Sequence, residues 1–166
     1  QLVALANLGA AAGNPVQSVG IIADATALLP SRDALLAGTP AGVVRAVRAD
    51  GWRPSPGVPE SVVVTALAAR GATTIAGTFR TGVFRSADGG VHWEVTEHGL
   101  PLGGRWLRVH AAADSVHGLV VAHALGVSWS DDGGASWSSA GIGLPLRMPR
   151  ATLATDGAAL YAGVEG

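Results

Sequence analysis

A repeat of fixed period constrains this chain more than any other feature of its sequence. Residues 86–93, SADGGVHW, share the skeleton Ser-x-Asp-Gly-Gly-x-x-Trp with residues 130–137, SDDGGASW, which lie 44 positions further on. The flanking Gly-Val pairs at 82–83 and 126–127 keep the same spacing. Because self-similarity of this kind reflects one supersecondary unit per repeat, the sequence predicts a repeat architecture.

Two less complete copies surround these units. Residues 34–59 contain an earlier Gly-Val pair at 42–43 and a shortened Asp-Gly-Trp at 50–52, and another copy opens at residue 151. The period is therefore about 40 to 46 residues. It divides a single domain, residues 1–166, into units at 20–59, 60–101, 102–145 and 146–166, with residues 1–19 as possible closing strands.

Each unit is composed of short strand-like segments. Within one unit these are SVVVTALAA at 61–69, TTIAGTF at 73–79, GVFRS at 82–86 and WEVTE at 93–97. They are rich in β-branched or apolar residues and are bounded by Gly, Asp or Pro, which is typical of strands. Four short strands in roughly 42 residues are characteristic of a propeller blade. The sequence thus predicts an all-β fold with four-stranded antiparallel blades.

The repeated motif also resembles a known family. The pattern Ser-x-Asp-x-Gly-x-x-Trp is similar to the Asp-box, or BNR repeat, of β-propeller proteins, which include sortilin-type receptors, photosystem II assembly-factor-like proteins, xyloglucanases and sialidases. The resemblance covers the chain from about Gly20 and implies a propeller with about 3.5 to 4 blades in this chain. It also implies an extracytoplasmic location, either secreted or periplasmic. The residues that match the pattern are Ser86, Asp88, Gly90 and Trp93, and again Ser130, Asp132, Gly134 and Trp137.

The aspartates of the motif are expected to serve shape rather than chemistry. The box resembles the turn between the third and outermost strands of a blade, where glycine accepts a positive φ without a Cβ clash. The side chains of Asp88 and Asp132 can accept hydrogen bonds from backbone N–H groups across that turn. The tryptophan can cover the turn and fill the space between sheets.

A propeller of three and a half blades leaves an unpaired sheet edge, which closure of the ring would remove. Three solutions are open. These blades can be part of a larger propeller, which we favour; a second copy of the chain can pair with them; or residues 1–19 can complete a four-bladed ring.

The composition excludes several classes of protein. A formal net charge of −1 argues against generic nucleic-acid binding, and the absence of cysteine excludes thiolate metal sites. No apolar run is long enough for a membrane span. None of the five histidines has the spacing of a helical zinc site, although His117 and His123 could share one face of a strand. No metal and no cofactor are predicted.

An enzymatic alternative is a glycoside hydrolase, xyloglucanase-like or sialidase-like, whose catalytic site is incomplete in this stretch. Such enzymes need two carboxyl groups that face each other across a cleft. Asp114 and Asp156 instead occupy equivalent places between first and second strands, which is typical of turn residues. A sialidase would also need an Arg-Ile-Pro motif and a tyrosine nucleophile; the motif is absent and Tyr161 is the single tyrosine.

Blade topology predicts one binding face. The connections at 57–61, 78–82, 99–108 and 141–150 are expected at the same ends of the sheets, opposite the boxes. A guanidinium group beside an indole ring suits carboxylates, acidic peptide segments or sugars, although an arginine rim can also serve solubility alone. We therefore expect a non-catalytic binding or assembly scaffold that recognises a protein partner or an acidic or glycan ligand. The candidate ligand-binding residues are Arg80, Arg105, Trp106, Arg147 and Arg150.

Overall fold

The structure is a computed structural model that describes residues 22, 24–31, 34–46, 51–140, 150–156 and 159–164. The described residues form 14 β-strands and one short 3₁₀ segment at Pro101–Gly104. Residues 1–19, the predicted closing strands, lie outside the described part of the chain. Within that part, no helix is long and apolar enough to cross a membrane.

The strands form successive antiparallel sheets in which each strand pairs with the next along the chain. Three sheets have four strands each and a fourth has two. This order confirms the all-β fold and the four-stranded antiparallel blades of a β-propeller.

The first blade contains β1 (Ala27–Pro30), β2 (Leu35–Thr39), β3 (Gly42–Ala46) and β4 (Trp52–Pro54). The second contains β5 (Val64–Arg70), β6 (Thr73–Thr78), β7 (Val83–Ser86) and β8 (Glu94–Thr96). The third contains β9 (Val109–Ser115), β10 (Gly118–His123), β11 (Gly126–Ser130) and β12 (Ser138–Ser139), and the fourth contains β13 (Ala151–Thr155) and β14 (Leu160–Val164).

Apolar side chains from neighbouring blades form the core. One buried cluster joins Leu36 of the first blade to Phe84 of the second, and another joins Ile75 of the second to Leu119 of the third. The innermost strands are also linked by a repeated hydrogen bond: Thr26 Oγ1 donates to the Val64 carbonyl at 2.5 Å, and Thr65 Oγ1 donates to the Val109 carbonyl at 2.7 Å. Burial between sheets, rather than within one, therefore holds the blades together.

The two repeated motifs, residues 86–93 and 130–137, form the turns between the third and fourth strands, and we call them the glycine turns. In the first, Asp88 Oδ1 accepts the backbone N–H groups of Val91 at 3.0 Å and His92 at 2.9 Å. In the second, Asp132 Oδ1 accepts those of Ala135 and Ser136, each at 2.9 Å. Each aspartate thus satisfies donors that the reversed chain would otherwise leave unpaired.

The serine of each glycine turn completes this network. The hydroxyl of Ser86 donates to Asp88 at 2.8 Å and accepts the N–H of Gly90 at 2.8 Å. The hydroxyl of Ser130 does the same with Asp132 and Gly134, both at 2.7 Å. The two turns therefore share one hydrogen-bond arrangement although three of their eight residues differ.

Each glycine turn also docks on the preceding blade. The N–H of Trp93 donates to the Pro56 carbonyl at 3.1 Å, and the N–H of Trp137 donates to the His98 carbonyl at 3.0 Å. A Cβ on Gly99, which has a φ of 79°, would lie 1.9 Å from the carbonyl oxygen of Trp137. This approach is closer than any side chain permits, so glycine is required where the blades meet.

The two buried tryptophans differ in one contact. Trp137 Nε1 donates to Thr96 Oγ1 at 3.2 Å. Trp93 Nε1 is buried and has no hydrogen-bond partner among the described residues. Ser55 of the first blade is the equivalent of Thr96, because each pairs with the third strand of its own blade. The Ser55 hydroxyl, however, donates to the Gly90 carbonyl. The first interface therefore leaves an indole N–H unsatisfied, which costs stability.

The close approach at Gly99 generates a test of blade packing. We expect Gly99→Ala to lower the free energy of unfolding by about 3 kcal/mol, because the new methyl group would overlap the backbone of the next blade. Gly71→Ala is the matched control, since Gly71 also has a positive φ but has no atom within 4 Å of the added Cβ; it should cost about 1 kcal/mol. Urea unfolding of both variants measures the difference, and equal losses would contradict the argument.

The indole contacts generate a second test. We expect Trp137→Phe to lower the free energy of unfolding by about 1 kcal/mol more than Trp93→Phe, because only the first substitution removes a buried hydrogen bond and leaves the Thr96 hydroxyl without its donor. Both substitutions remove a similar volume from similarly buried sites, so each controls for the other. Denaturant unfolding monitored by far-ultraviolet circular dichroism gives the two values.

Candidate functional site

Two loops of the second blade meet at one end of its strands. Residues 79–82 connect β6 to β7, and residues 97–108 connect β8 to β9. A Cβ on Gly82 would lie 2.6 Å from the Gly104 carbonyl oxygen, so the two loops are packed backbone against backbone. The glycine turn lies at the other end of β7, since successive connections of an antiparallel meander alternate between the two ends.

The shorter loop is fixed by hydrogen bonds at both ends. Thr78 Oγ1 donates to the Gly82 carbonyl at 2.8 Å and accepts the N–H of Thr81 at 2.9 Å. The N–H of Phe79 donates to the Val63 carbonyl at 2.9 Å. These bonds set the direction in which the side chains of Phe79 and Arg80 leave the loop.

The longer loop holds two large apolar side chains in solvent. Leu100 and Leu107 are buried and anchor its ends. Between them Leu102 and Trp106 are 67% and 75% exposed, and both have a left-handed backbone, with φ values of 57° and 58°. A positive φ is uncommon for residues with a Cβ and costs of order 1 kcal/mol each. Strained residues of this kind concentrate at binding and catalytic sites.

Two arginines stack on two aromatic rings where these loops meet. The guanidinium carbon of Arg80 lies 5.5 Å from the centroid of the Phe79 ring and 5.9 Å from that of Trp106. The guanidinium carbon of Arg108 lies 4.7 Å from the centroid of Phe79. These distances are within the range of cation–π attraction. We call Phe79, Arg80, Trp106 and Arg108 the arginine–tryptophan cluster.

The positive charge of the cluster is not neutralised by the described acids. Among the described residues, arginine ion pairs join Arg70 to Asp114 at 2.7 Å and Arg85 to Glu94 at 2.9 Å. No described carboxylate oxygen lies within 4.0 Å of a guanidinium nitrogen of Arg80, Arg105 or Arg108. The cluster can therefore bind an external carboxylate through the two planar, positively charged guanidinium groups of Arg80 and Arg108.

The residues predicted for this face have different placements. Arg80 and Trp106 are brought together, and Arg105 is exposed beside Trp106 in the same loop. Arg150 is exposed immediately before β13. Arg147 lies outside the described residues.

Two members of the cluster were not among the predicted residues. Phe79 is adjacent to Arg80, and Arg108 follows Trp106 by two positions. Their membership of the two connections predicted at 78–82 and 99–108 was the signal that could have identified them.

The carboxyl groups of the glycine turns are poor candidates for acid catalysis. Partial burial raises the pKa of Asp88, but hydrogen bonds from His92, Ser86 and Val91 outweigh this effect and hold the pKa well below its usual range. For Asp132, hydrogen bonds from Ser136, Ser130 and Ala135 likewise outweigh burial and lower the pKa to about 2. A general acid needs a raised pKa instead.

Asp114 and Asp156, the other two candidate aspartates, are also engaged in local structure. Asp114 lies near the end of β9 and pairs with Arg70 across the blade interface. Asp156 follows β13, accepts the N–H of Ala159 at 2.8 Å and accepts the hydroxyl of Tyr161 at 3.0 Å. Asp156 is thus a turn residue, whereas Asp114 is part of a strand.

The two histidines expected on one strand face are separated. His117 is exposed in the turn before β10, and His123, at the end of that strand, is fully buried. His123 Nδ1 accepts the N–H of Leu125 at 3.2 Å, so the proton is on Nε2 and can be donated to Ser128 Oγ at 3.0 Å. Among the described residues, no group of three or more acidic or histidine side chains could hold a metal ion.

Comparisons with known proteins identify structural neighbours only. No family model and no curated protein matches the sequence. The extracellular domain of a putative one component system from B. thetaiotaomicron matches with a TM-score of 0.64 at 17% identity, over 97% of this chain and 22% of that chain. An ancestral GH74 enzyme matches with a TM-score of 0.61 at 16% identity, over 90% of this chain and 22% of that chain. The GH74 enzyme of Niastella koreensis matches with a TM-score of 0.55 at 15% identity, over 84% and 26%.

These neighbours support the propeller fold. The chain spans about a quarter or less of the length of the solved proteins that it matches. At such identities the likeness extends to the fold alone.

The buried histidine generates a pH-dependence test. Burial, and then the charge of His110, lowers the pKa of His123 to about 4. In the unfolded chain the His123 side chain takes up a proton near pH 6.5, whereas in the folded chain it does so only near pH 4. The free energy of unfolding should therefore fall as the pH falls from 6.5 to 4, by about 2 kcal/mol between pH 7 and pH 5.

The control for this test is His123→Gln. Its free energy of unfolding should change less between pH 7 and pH 5 than that of the parent chain, because the titrating group has been removed. The aspartates of the glycine turns, whose pKa values are lowered, contribute stability that is lost only below about pH 4, in a separate window. Urea unfolding at the two pH values decides the matter, and parallel losses in both proteins would contradict the assignment.

Proposed function

We propose that this chain is a non-catalytic binding propeller of the Asp-box type, which recognises an acidic segment of a protein partner through the arginine–tryptophan cluster. The observation that carries the proposal is the pairing of Arg80 with Trp106, which is 75% exposed and lies on a loop with a strained backbone. Exposed tryptophan and arginine are the residues most enriched where binding energy concentrates in protein interfaces.

The surroundings of the cluster favour a peptide over a sugar. The guanidinium group of Arg80 lies 5.5 Å and 5.9 Å from the centroids of the Phe79 and Trp106 rings, so a ligand that contacts these rings also meets a positive charge. The exposed side chain of Leu102 in the same loop adds an aliphatic contact that suits an apolar side chain of a partner. A segment that alternates acidic and apolar residues would meet both kinds of group.

The charges of the cluster fit the same class of ligand. Arg80 and Arg108 are each stacked on a ring, which limits their rotation and lowers the entropy lost on binding. Because they have no described acidic partner, a bound carboxylate would form new charge-assisted hydrogen bonds without first breaking an ion pair. The proposal includes an extracytoplasmic location, as the resemblance to sortilin-type propellers implies.

The glycoside hydrolase alternative has less support from the described residues. The carboxyl groups with lowered pKa values, Asp88 and Asp132, belong to the glycine turns at the opposite ends of the strands from the cluster. Asp114 forms an ion pair with Arg70. These three carboxyl groups are therefore held in structural contacts.

The test is direct binding of a short fluorescein-labelled peptide of alternating glutamate and leucine. We expect saturable binding that weakens as salt is added, because screening reduces charge attraction. Arg80→Gln should weaken binding about tenfold and Trp106→Ala by at least as much. Arg53→Gln, which removes the same charge from the exposed edge strand β4, should leave binding unchanged.

Fluorescence anisotropy measures these affinities, and a lysine-for-glutamate peptide controls for binding through leucine alone. Equal binding of the two peptides, or unchanged binding by both Arg80→Gln and Trp106→Ala, would overturn the proposal. Binding of acidic oligosaccharides in place of the peptide, lost in the same variants, would assign the face to a glycan instead.

A further inference from the structure

The third and fourth strands of each four-stranded blade place one pair of residues directly opposite each other, near the turn that joins the strands. In the second blade this pair is Arg85 and Glu94, which form an ion pair at 2.9 Å. In the third blade it is Trp129 and Ser138. The fold therefore accepts either an opposite-charge pair or an uncharged pair at these positions.

The first blade has two positive charges at the same positions. Arg45 of β3 lies opposite Arg53 of β4. Arg45 follows a Gly-Val pair by two positions, as Arg85 does, and Arg53 follows a tryptophan, as Glu94 does. Because directly opposite residues of antiparallel strands point to one face, with Cβ atoms about 5 Å apart, two like charges repel there. This pair destabilises the blade unless a negative charge balances it.

Neither of these guanidinium groups is neutralised by the described part of the chain. No described carboxylate oxygen lies within 4.0 Å of a guanidinium nitrogen of Arg45 or Arg53. The Nε atom of Arg45 is buried and has no hydrogen-bond partner among the described residues, whereas Arg85 Nε donates to the Gly133 carbonyl at 2.8 Å. A buried donor without an acceptor costs stability, so two destabilising features coincide at one place.

Both arginines line a crevice between the first blade and the first glycine turn. The crevice has a volume of about 180 Å³, and its lining also includes Pro54, Pro56 and, from the glycine turn, Val91. These three side chains have no hydrogen-bonding group, so charge and donors enter the crevice from the two guanidinium groups. We call it the arginine crevice. It belongs to an interface between two four-stranded blades.

The acidic side chains close to the arginine crevice are engaged in other contacts. Asp88, in the same glycine turn as Val91, accepts hydrogen bonds from the backbone and the serine of its own turn. Glu94 of the second blade pairs with Arg85. The charge of the crevice can therefore be met by an anion from outside the chain.

We infer that the arginine crevice binds a tetrahedral oxyanion, a sulfate or phosphate group, between the guanidinium groups of Arg45 and Arg53. Each guanidinium group offers a planar fork of donors, and the two oxygens of a carboxylate match one fork. A sulfate or phosphate group has more oxygens, so it can accept from both forks at once, and its larger negative charge balances both arginines. The inference does not depend on the proposed function, because the arginine–tryptophan cluster belongs to loops of the second blade.

The test is a titration with sodium sulfate in chloride buffer at constant ionic strength, followed by nuclear magnetic resonance of the arginine Nε–H groups. We expect the Arg45 and Arg53 resonances to shift saturably, because a bound oxyanion accepts hydrogen bonds from these groups. Sodium acetate is the control ligand and should bind about tenfold more weakly, since a carboxylate matches one fork.

A charge reversal separates loss of binding from loss of folding. Arg53→Glu gives the first blade the Arg–Glu pair of the second blade, so it should raise the midpoint of urea unfolding in chloride buffer. The same substitution should weaken sulfate binding by about tenfold or more, because a carboxylate then occupies the crevice beside Arg45. Arg80→Gln removes a positive charge from the arginine–tryptophan cluster and should leave the sulfate response of Arg45 unchanged.

Two further ligands distinguish the sources of the oxyanion. Inorganic phosphate tests whether the free ions are interchangeable, and glucose 6-sulfate carries the same group on a larger molecule. Tighter binding of the sugar ester than of sulfate would identify a terminal group as the ligand, and tighter binding of the inorganic ion would identify the free anion. Both results support the site.

Other results would overturn the inference. These are the absence of a saturable shift at Arg45 and Arg53, equal binding of acetate and sulfate, or undiminished sulfate binding by Arg53→Glu. Loss of sulfate binding in Arg80→Gln, with binding retained in Arg53→Glu, would assign the anion to the arginine–tryptophan cluster instead.

Discussion

The docking of each glycine turn on the preceding blade is the contact on which the rest of the structure depends. It needs a glycine on both sides: Gly134 fits against Ile75, and Gly99 allows the backbone of Trp137 to approach. Hydrogen bonds within the turn prepare its shape, so that little backbone freedom remains to be lost when the blades pack. The tryptophan then closes the interface, with 4% of its surface exposed. The motif is repeated in the sequence because the same contact is repeated in space.

This arrangement separates the two ends of the strands. At the end with the glycine turns, the aspartates bind their own backbone and are held as carboxylates by lowered pKa values. At the opposite end, the loop that contains Leu102 and Trp106 has a strained backbone and exposed apolar side chains. Strain and exposure both oppose stability, and their presence together at one end is the reason that the proposed binding face is placed there.

Much of the fold follows from the sequence because the repeat specifies both the strands and the turns between them. The meeting of Arg80 with Trp106 also follows, since blade topology sends both connections to one end. The ring of Phe79 between two arginines depends instead on side-chain directions, which topology leaves open. The positive φ of Trp106 is set by tertiary packing against the intrinsic preference of the residue. The sequence predicted that His117 and His123 share one face of a strand, which requires both to lie in that strand. Because β10 begins at Gly118, His117 lies in the preceding turn instead.

The hydroxyl bonds of Thr26 and Thr65 have a consequence for how the chain resists opening. Each bond links one innermost strand to the next, and the contacts between sheets likewise join each sheet to its neighbour in the chain. Such a molecule behaves as a one-dimensional array, in which the free energy of local opening depends on how many neighbours a unit has. The second and third blades each pack against a described sheet on both sides, so two interfaces protect their amide protons from exchange.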